Sequence, residues 1–128
     1  MNRIKRGMQL PISGAPEQII GSAQASRSVA LVGSDYVGMK PTMLVAEGDR
    51  VKLGQPLFSD KKNPDVFYTS PGCGVVSAIN RGYQRRLLSV VVELDGDEQV
   101  ELAAYEPAAL RSLTREQIVQ DLVTSGLW

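Results

Sequence analysis

The chain has 128 residues, 43% of them hydrophobic and 22% charged, which is enough for one globular domain with a real core and too little for two full ones. Its 14 basic and 14 acidic residues cancel, so the long-range field that gathers nucleic acid or anionic lipid is missing and neither is expected as a partner. It has no histidine and one cysteine, Cys73, which removes the commonest general base, the usual zinc ligand, any internal disulfide and an iron-sulphur site, since a cluster takes about four thiolates.

From the N-terminus, MNRIKRGMQLPISG breaks its apolar residues with charges and turn formers, and no apolar run in the chain approaches the roughly 18 residues of a membrane span. The expected place is the cytoplasm, or a membrane reached only through a partner. The basic start, Arg3, Lys5 and Arg6, and Lys40 before Pro41 are candidates for contact with a membrane surface or a partner. Short runs rich in Val and Leu follow: SVALVG at 28–33, TMLVAEG at 42–48, GVVSAI at 74–79 and LLSVVVEL at 87–94. With turn signals every eight to twelve residues or so, they predict a mainly β sandwich or barrel.

Between the second and third runs lies VAEGDRVKLGQPLFSDKKNPD. In its Gly48-Asp49-x-Val51-x-x-Gly54-Gln55-x-Leu57 pattern, a glycine at each bend permits positive φ, Asp49 can accept from local amides, and Val51 and Leu57 face inward to pin a hairpin. KKNPD reads as a solvated turn started by Asn63-Pro64. Ser70-Pro71-Gly72-Cys73-Gly74 makes a second sharp turn that feeds a strand, with Cys73 as a small, at least half-buried residue. No cation flanks it to lower its pKa. Arg81, Arg85 and Arg86 cluster about Gly82-Tyr83 in a hairpin loop, either solvated or docked on an acidic neighbour. Gly33, Gly38, Gly72 and Gly74 do not make GxGxxG in a strand-to-helix context, so no dinucleotide site is expected.

Asp95-Gly96 predicts a two-residue hairpin joining 87–94 to EQVELAAY, which ends the β region near Tyr105. The period then changes. Thr114 and Gln117 form a capping box, Ile118, Val119, Leu122 and Val123 share a helical face, and Gly126 suits the C-terminal end. Leu127 and Trp128 close the sequence on bulky apolar residues, which predicts a longer protein of which this is the N-terminal piece.

The glycine pattern and the Ser-Pro-Gly turn together resemble the biotinyl/lipoyl hammerhead family over roughly 41–94. In carriers of that family the modified lysine sits at a hairpin tip about eight residues before the proline of the Ser-Pro turn. Counting back from Pro71 reaches Asn63, with Lys61 and Lys62 earlier, so the tip is expected to lack the attachment amine. A lipoyl or biotinyl carrier modified on Lys61 or Lys62 is the alternative reading.

A more specific resemblance spans nearly the whole chain. IKRGMQLPISGAPEQII, then YVGMKPTMLVAEGDRVKLGQPLFSDKKNPDVFYTSPGCGVVSAINRG, then LLSVVVEL and SGLW are similar to the A-subunit family of the bacterial sodium-translocating NADH:ubiquinone oxidoreductases. GAPEQ and DKKNP favour that family over the related C-subunit of Rnf-type complexes. The resemblance implies a barrel-sandwich hybrid over residues 1–102, and a helical segment over 103–128 that opens the next domain. It also implies a peripheral component on the cytoplasmic side of the bacterial inner membrane, beside the membrane B-subunit and near ubiquinone. Its role there is structural and organising. NAD, FMN, FAD, iron centres and ubiquinone belong to the whole complex and none to this stretch. No catalytic, cofactor-binding or metal residue is assigned.

Overall fold

The computed structural model describes Gly7, Pro11 and residues 13–128. The basic start, Arg3, Lys5 and Arg6, lies outside the described residues. Among the described residues seven strands form two antiparallel sheets: β1 (Ser28–Val32), β7 (Leu87–Leu94), β6 (Gly74–Arg81) and β3 (Arg50–Val51) in one, and β2 (Pro41–Met43), β4 (Pro56–Asp60) and β5 (Asn63–Thr69) in the other. The expected mainly β barrel-sandwich hybrid is the fold observed.

Both sheets close on one apolar cluster: Val51, Leu57, Phe58, Val76, Leu87, Val90 and Val92, each at most 2% exposed. Val76, Val90 and Val92 reach it by alternation along β6 and β7, the two long central strands of the larger sheet. Strand β4 is different. It is paired on both sides, to β2 and to β5, and its last four residues are all buried, so Ser59 and Asp60 go inside with Leu57 and Phe58.

Val51 and Leu57 are both fully buried, as expected, but they do not pin one hairpin. Val51 pairs in β3 with β6, and Leu57 lies in β4 of the other sheet, so the stretch between them crosses from sheet to sheet. Gly54 bends the chain in that crossing, and Gly48 in the earlier one from β2 to β3. Gly48 and Gly54 hold φ of +92° and +83°, a region that favours glycine. Asp49 Oδ2 accepts from the amide of Ala46 at 2.8 Å. The first bend docks on β6 and the second on the Ser70 turn: Gly48 donates to Val76 O and Gly54 to Ser70 O, both at 2.8 Å, while Val76 and Ser70 donate back to Asp49 O and Gln55 O.

The predicted hairpin at Asp95-Gly96 does not form. Both edges of β7 are already taken, by β1 and by β6, so the segment from Glu98 on has no free edge of β7 to join. Instead Gly96, at φ +89°, turns the chain away, and Gln99 makes a single parallel bridge with Leu53. The last strand therefore ends at Leu94 and not near Tyr105.

The C-terminal helix, α1 (Arg115–Ser125), carries the predicted devices. Thr114 Oγ1 accepts from the amide of Gln117, Gln117 Oε1 accepts from the amide of Thr114, and Gly126 closes the helix at φ +75°. Its C-terminal end rests on β5, where a Cβ at Gly126 would meet Thr69 Cγ2 at 2.8 Å. No residue of α1 is buried. Among the described residues no helix is long and apolar enough to cross a membrane.

Candidate functional site

Three places merit the question of function: the tip between β4 and β5, a basic cleft beside it, and an apolar groove under α1. Asp60, the last residue of β4, pairs with Asn63, the first of β5, leaving Lys61 and Lys62 as the two turn residues. This corrects the sequence reading, in which Asn63-Pro64 starts the turn. Both belong to β5. Proline is tolerated there because β5 is an edge strand that pairs only with β4 and can spare a donor.

The tip therefore does present lysines, but it holds one of them. Lys62 Nζ donates to Gly38 O at 2.8 Å, which ties the tip to the loop between β1 and β2. Asp60, only 8% exposed, anchors the same junction by accepting from the amides of Lys62 (3.0 Å) and Lys40 (3.2 Å) on one oxygen, Oδ1. The Lys62 amide does most to hold the carboxyl below its ordinary range, with help from the Lys40 amide, the Lys62 charge and Asn63, while burial pulls the other way. Lys61 stays exposed, its backbone amide bonded to Lys40 O at 2.7 Å.

A consequence for pH follows from that depressed pKa. Asp60 binds its proton more weakly folded than unfolded, so its contribution to stability is full above the unfolded carboxylate pKa of about 3.9 and is lost as pH falls through the folded value. In Asp60→Asn the unfolding midpoint should fall less between about pH 6 and about pH 2 than in the parent. Equal slopes in thermal melts over that range would show that the carboxylate bonds are not formed.

Beneath the tip lies an aromatic cluster. The rings of Phe58 and Tyr68 stack at 4.8 Å, and Tyr36 stands edge-on to both, at 4.5 Å from Tyr68 and 6.2 Å from Phe58. Burial raises the pKa of both tyrosines, with the charge of Asp35 adding at Tyr36 and that of Asp60 at Tyr68. These groups stay neutral in the ordinary pH range and serve as packing.

Beside the cluster the loop Gly33–Lys40 and the β6–β7 hairpin wall a cleft of about 550 Å³. Arg81, Arg85 and Arg86 line one side and Lys40 the other, so two basic groups that the sequence presents 41 positions apart meet in one place. The hairpin is the one expected at Gly82-Tyr83. Gln84 and Arg85 both hold positive φ, 52° and 61°, rare for residues with side chains. Bonds from the amides of Gly82, Arg85 and Arg86 to Arg86 O, Gly82 O and Tyr83 O close the loop.

The third place is a groove of about 400 Å³ between residues 102–113 and α1, walled by Leu102, Leu110, Leu113, Ile118 and Leu122. Tyr105 crosses its end to donate to Asp121 Oδ2 at 2.8 Å, a bond that raises the tyrosine pKa. Sequence reasoning missed it. The leucines of 102–113 carry no period, and only the tertiary course of the chain sets them against the helix. Cys73 is buried at 4% exposure, with Sγ 3.4 Å from Asp95 O, as a small core residue.

Set against known proteins, residues 2–95 match a family model described as the NqrA N-terminal barrel-sandwich hybrid domain. Over all 128 residues the chain is 64% identical to the A-subunit of the Na(+)-translocating NADH-quinone reductase of Pseudomonas aeruginosa strain UCBPP-PA14. It is 56% identical to the same-named protein of Photorhabdus laumondii and 55% identical to that of Mannheimia succiniciproducens. In each case the whole of this chain aligns, and it spans 29% of the relative's length.

Proposed function

The chain belongs to the NqrA N-terminal barrel-sandwich hybrid domain family, and on that footing we propose that it is the N-terminal domain of the A-subunit of a sodium-translocating NADH–quinone reductase. The observation that carries this reading is the 64% identity, unbroken over the full 128 residues, with a protein of that name. In this reading the domain organises the assembly, and electron transfer from NADH through flavins and iron centres to ubiquinone runs in the other subunits. The helical segment from 103 on begins the next domain. The membrane B-subunit is the neighbour, ubiquinone lies nearby, and the whole sits on the cytoplasmic face of the inner membrane.

The fold supports such a role. A scaffold with its polar tip locked by Asp60 and Lys62 offers fixed surfaces to neighbours. The carrier reading, with cargo on Lys61 or Lys62, finds no support among the relatives, which are similar over the whole chain and named for the reductase.

An affinity tag on the intact protein in its native host tests the proposal. It should copurify with membrane-embedded partners and with sodium-stimulated NADH–quinone reductase activity. Membranes from a host that lacks the protein should lose that activity. Full sodium-stimulated activity in its absence would refute the reading.

A further inference from the structure

The charge balance of the chain hides a local imbalance. Among the described residues the ion pairs are Arg50 with Asp95 and Lys52 with Glu98, both at the opposite bend of the fold. Lys40, Arg81, Arg85 and Arg86, which converge on the cleft between the Gly33–Lys40 loop and the β6–β7 hairpin, belong to neither pair. Asp35 stands on the same loop but is not among the cleft residues. Four like charges around one concave space repel one another, and a folded chain keeps such an arrangement at a cost to stability unless something of opposite sign enters.

The hairpin is also built to present its arginines. Gln84 and Arg85 hold the positive φ that a type I′ hairpin turn asks of both its central residues, closed by the Arg86 amide on Tyr83 O, which sets Arg85 and Arg86 at the tip. Arg81 Nη1 donates to Arg85 O at 3.2 Å, which fixes one guanidinium against the turn that carries the next. Gly33 brings the opposite wall close, since a Cβ there would fall on the carbonyl oxygen of Leu87.

We propose that this cleft binds a phosphate group, with Arg81, Arg85 and Arg86 on one wall and Lys40 on the other as its ligands. Guanidinium groups present paired donors in a planar fork that matches phosphate oxygens, and a multiply charged oxyanion answers several cations at once where a single carboxylate answers one. About 550 Å³ exceeds what a bare phosphate needs and lies in the range of small-molecule sites, so the group arrives on a larger body, either a soluble phosphate ester or a phospholipid head group. The inference rests on the cleft alone and stands apart from membership of the pump.

Calorimetric titration of the intact protein with inorganic pyrophosphate reads the soluble form. Flotation with vesicles of phosphatidylglycerol in phosphatidylcholine reads the lipid form. Binding in either arm should weaken as salt rises, because the cations are exposed. Arg81→Gln with Arg85→Gln should weaken it roughly tenfold, and Lys40→Gln, on the other wall and independent of the hairpin fold, should weaken it as well. Lys61→Gln, which removes an equal charge outside the cleft, should leave it unchanged. Absence of binding in both arms would overturn the proposal. So would binding that Lys61→Gln weakens as much as Lys40→Gln does, or a polyglutamate peptide that takes the cleft when pyrophosphate does not.

Discussion

Phe58→Ala is expected to lower the free energy of unfolding by about 4 kcal/mol, the largest loss of any single truncation in the domain. Phe58 is fully buried in the middle of β4, the one strand that is paired on both sides in its sheet and buried on both faces. Its ring stacks on Tyr68 of the neighbouring strand, to which it is directly paired, and takes the edge of Tyr36 from the β1–β2 loop. Truncation removes the apolar burial, leaves a cavity and ends the stacking that fixes Tyr36, Tyr68 and through them the tip. Domains of this size are stable by about 5–15 kcal/mol, so the loss takes a large fraction of the total and should show as a clear drop in the unfolding midpoint. Phe58→Leu fills most of the space and should cost about 1.5 kcal/mol or less. Urea unfolding separates the two. Near-equal losses would mean that stability rests on the stacking of the ring itself and not on the apolar volume that leucine restores.

Much of this could be read from the residues. The runs at 28–33, 74–79 and 87–94 became β1, β6 and β7 because their Val and Leu content and bounding turn residues leave little choice of period. The helix was legible down to its two caps, since Thr114, Gln117 and Gly126 act through local backbone bonds alone. Gly48 and Gly54 declared their positive φ by the same local logic.

What failed was pairing. Asp95-Gly96 is a sound hairpin signal, and it lost because a strand has two edges and both edges of β7 go to segments far away in sequence. Asn63-Pro64 looked like a turn, since proline punctuates most chains, but an edge strand tolerates it and the turn moved two residues earlier, onto the lysines. The candidate cleft was half legible. Lys40 and the three arginines stood out singly, and nothing in their spacing says that a loop and a hairpin 41 positions apart share a wall. Burial of Asp60 was hidden for the same reason, since one of the two amides that bond its carboxylate, that of Lys40, lies 20 positions away.

The second large effect belongs to a position with almost no volume. Gly74 begins β6 and is paired on both sides, to Val51 of β3 and to Leu94 of β7. A Cβ built there would fall on the carbonyl oxygen of Glu93, with Glu93 C at 2.8 Å and Asp95 N at 3.0 Å. All three atoms are backbone, and they are held: Asp95 donates to Cys73 O at 3.0 Å and Leu94 to Arg27 O at 2.9 Å. No flexible side chain can step aside, so the added methyl must push β7 away from β6 in the centre of the larger sheet. Gly74→Ala should therefore cost about 3 kcal/mol, at the upper end for overpacking. Gly48→Ala is the natural comparison. It meets open space and bears only the torsional penalty of φ +92°, about 1–2 kcal/mol. If melts of the two variants ranked them the other way, the pairing of β6 with β7 at Gly74 would be looser than the distances to Glu93 and Asp95 indicate.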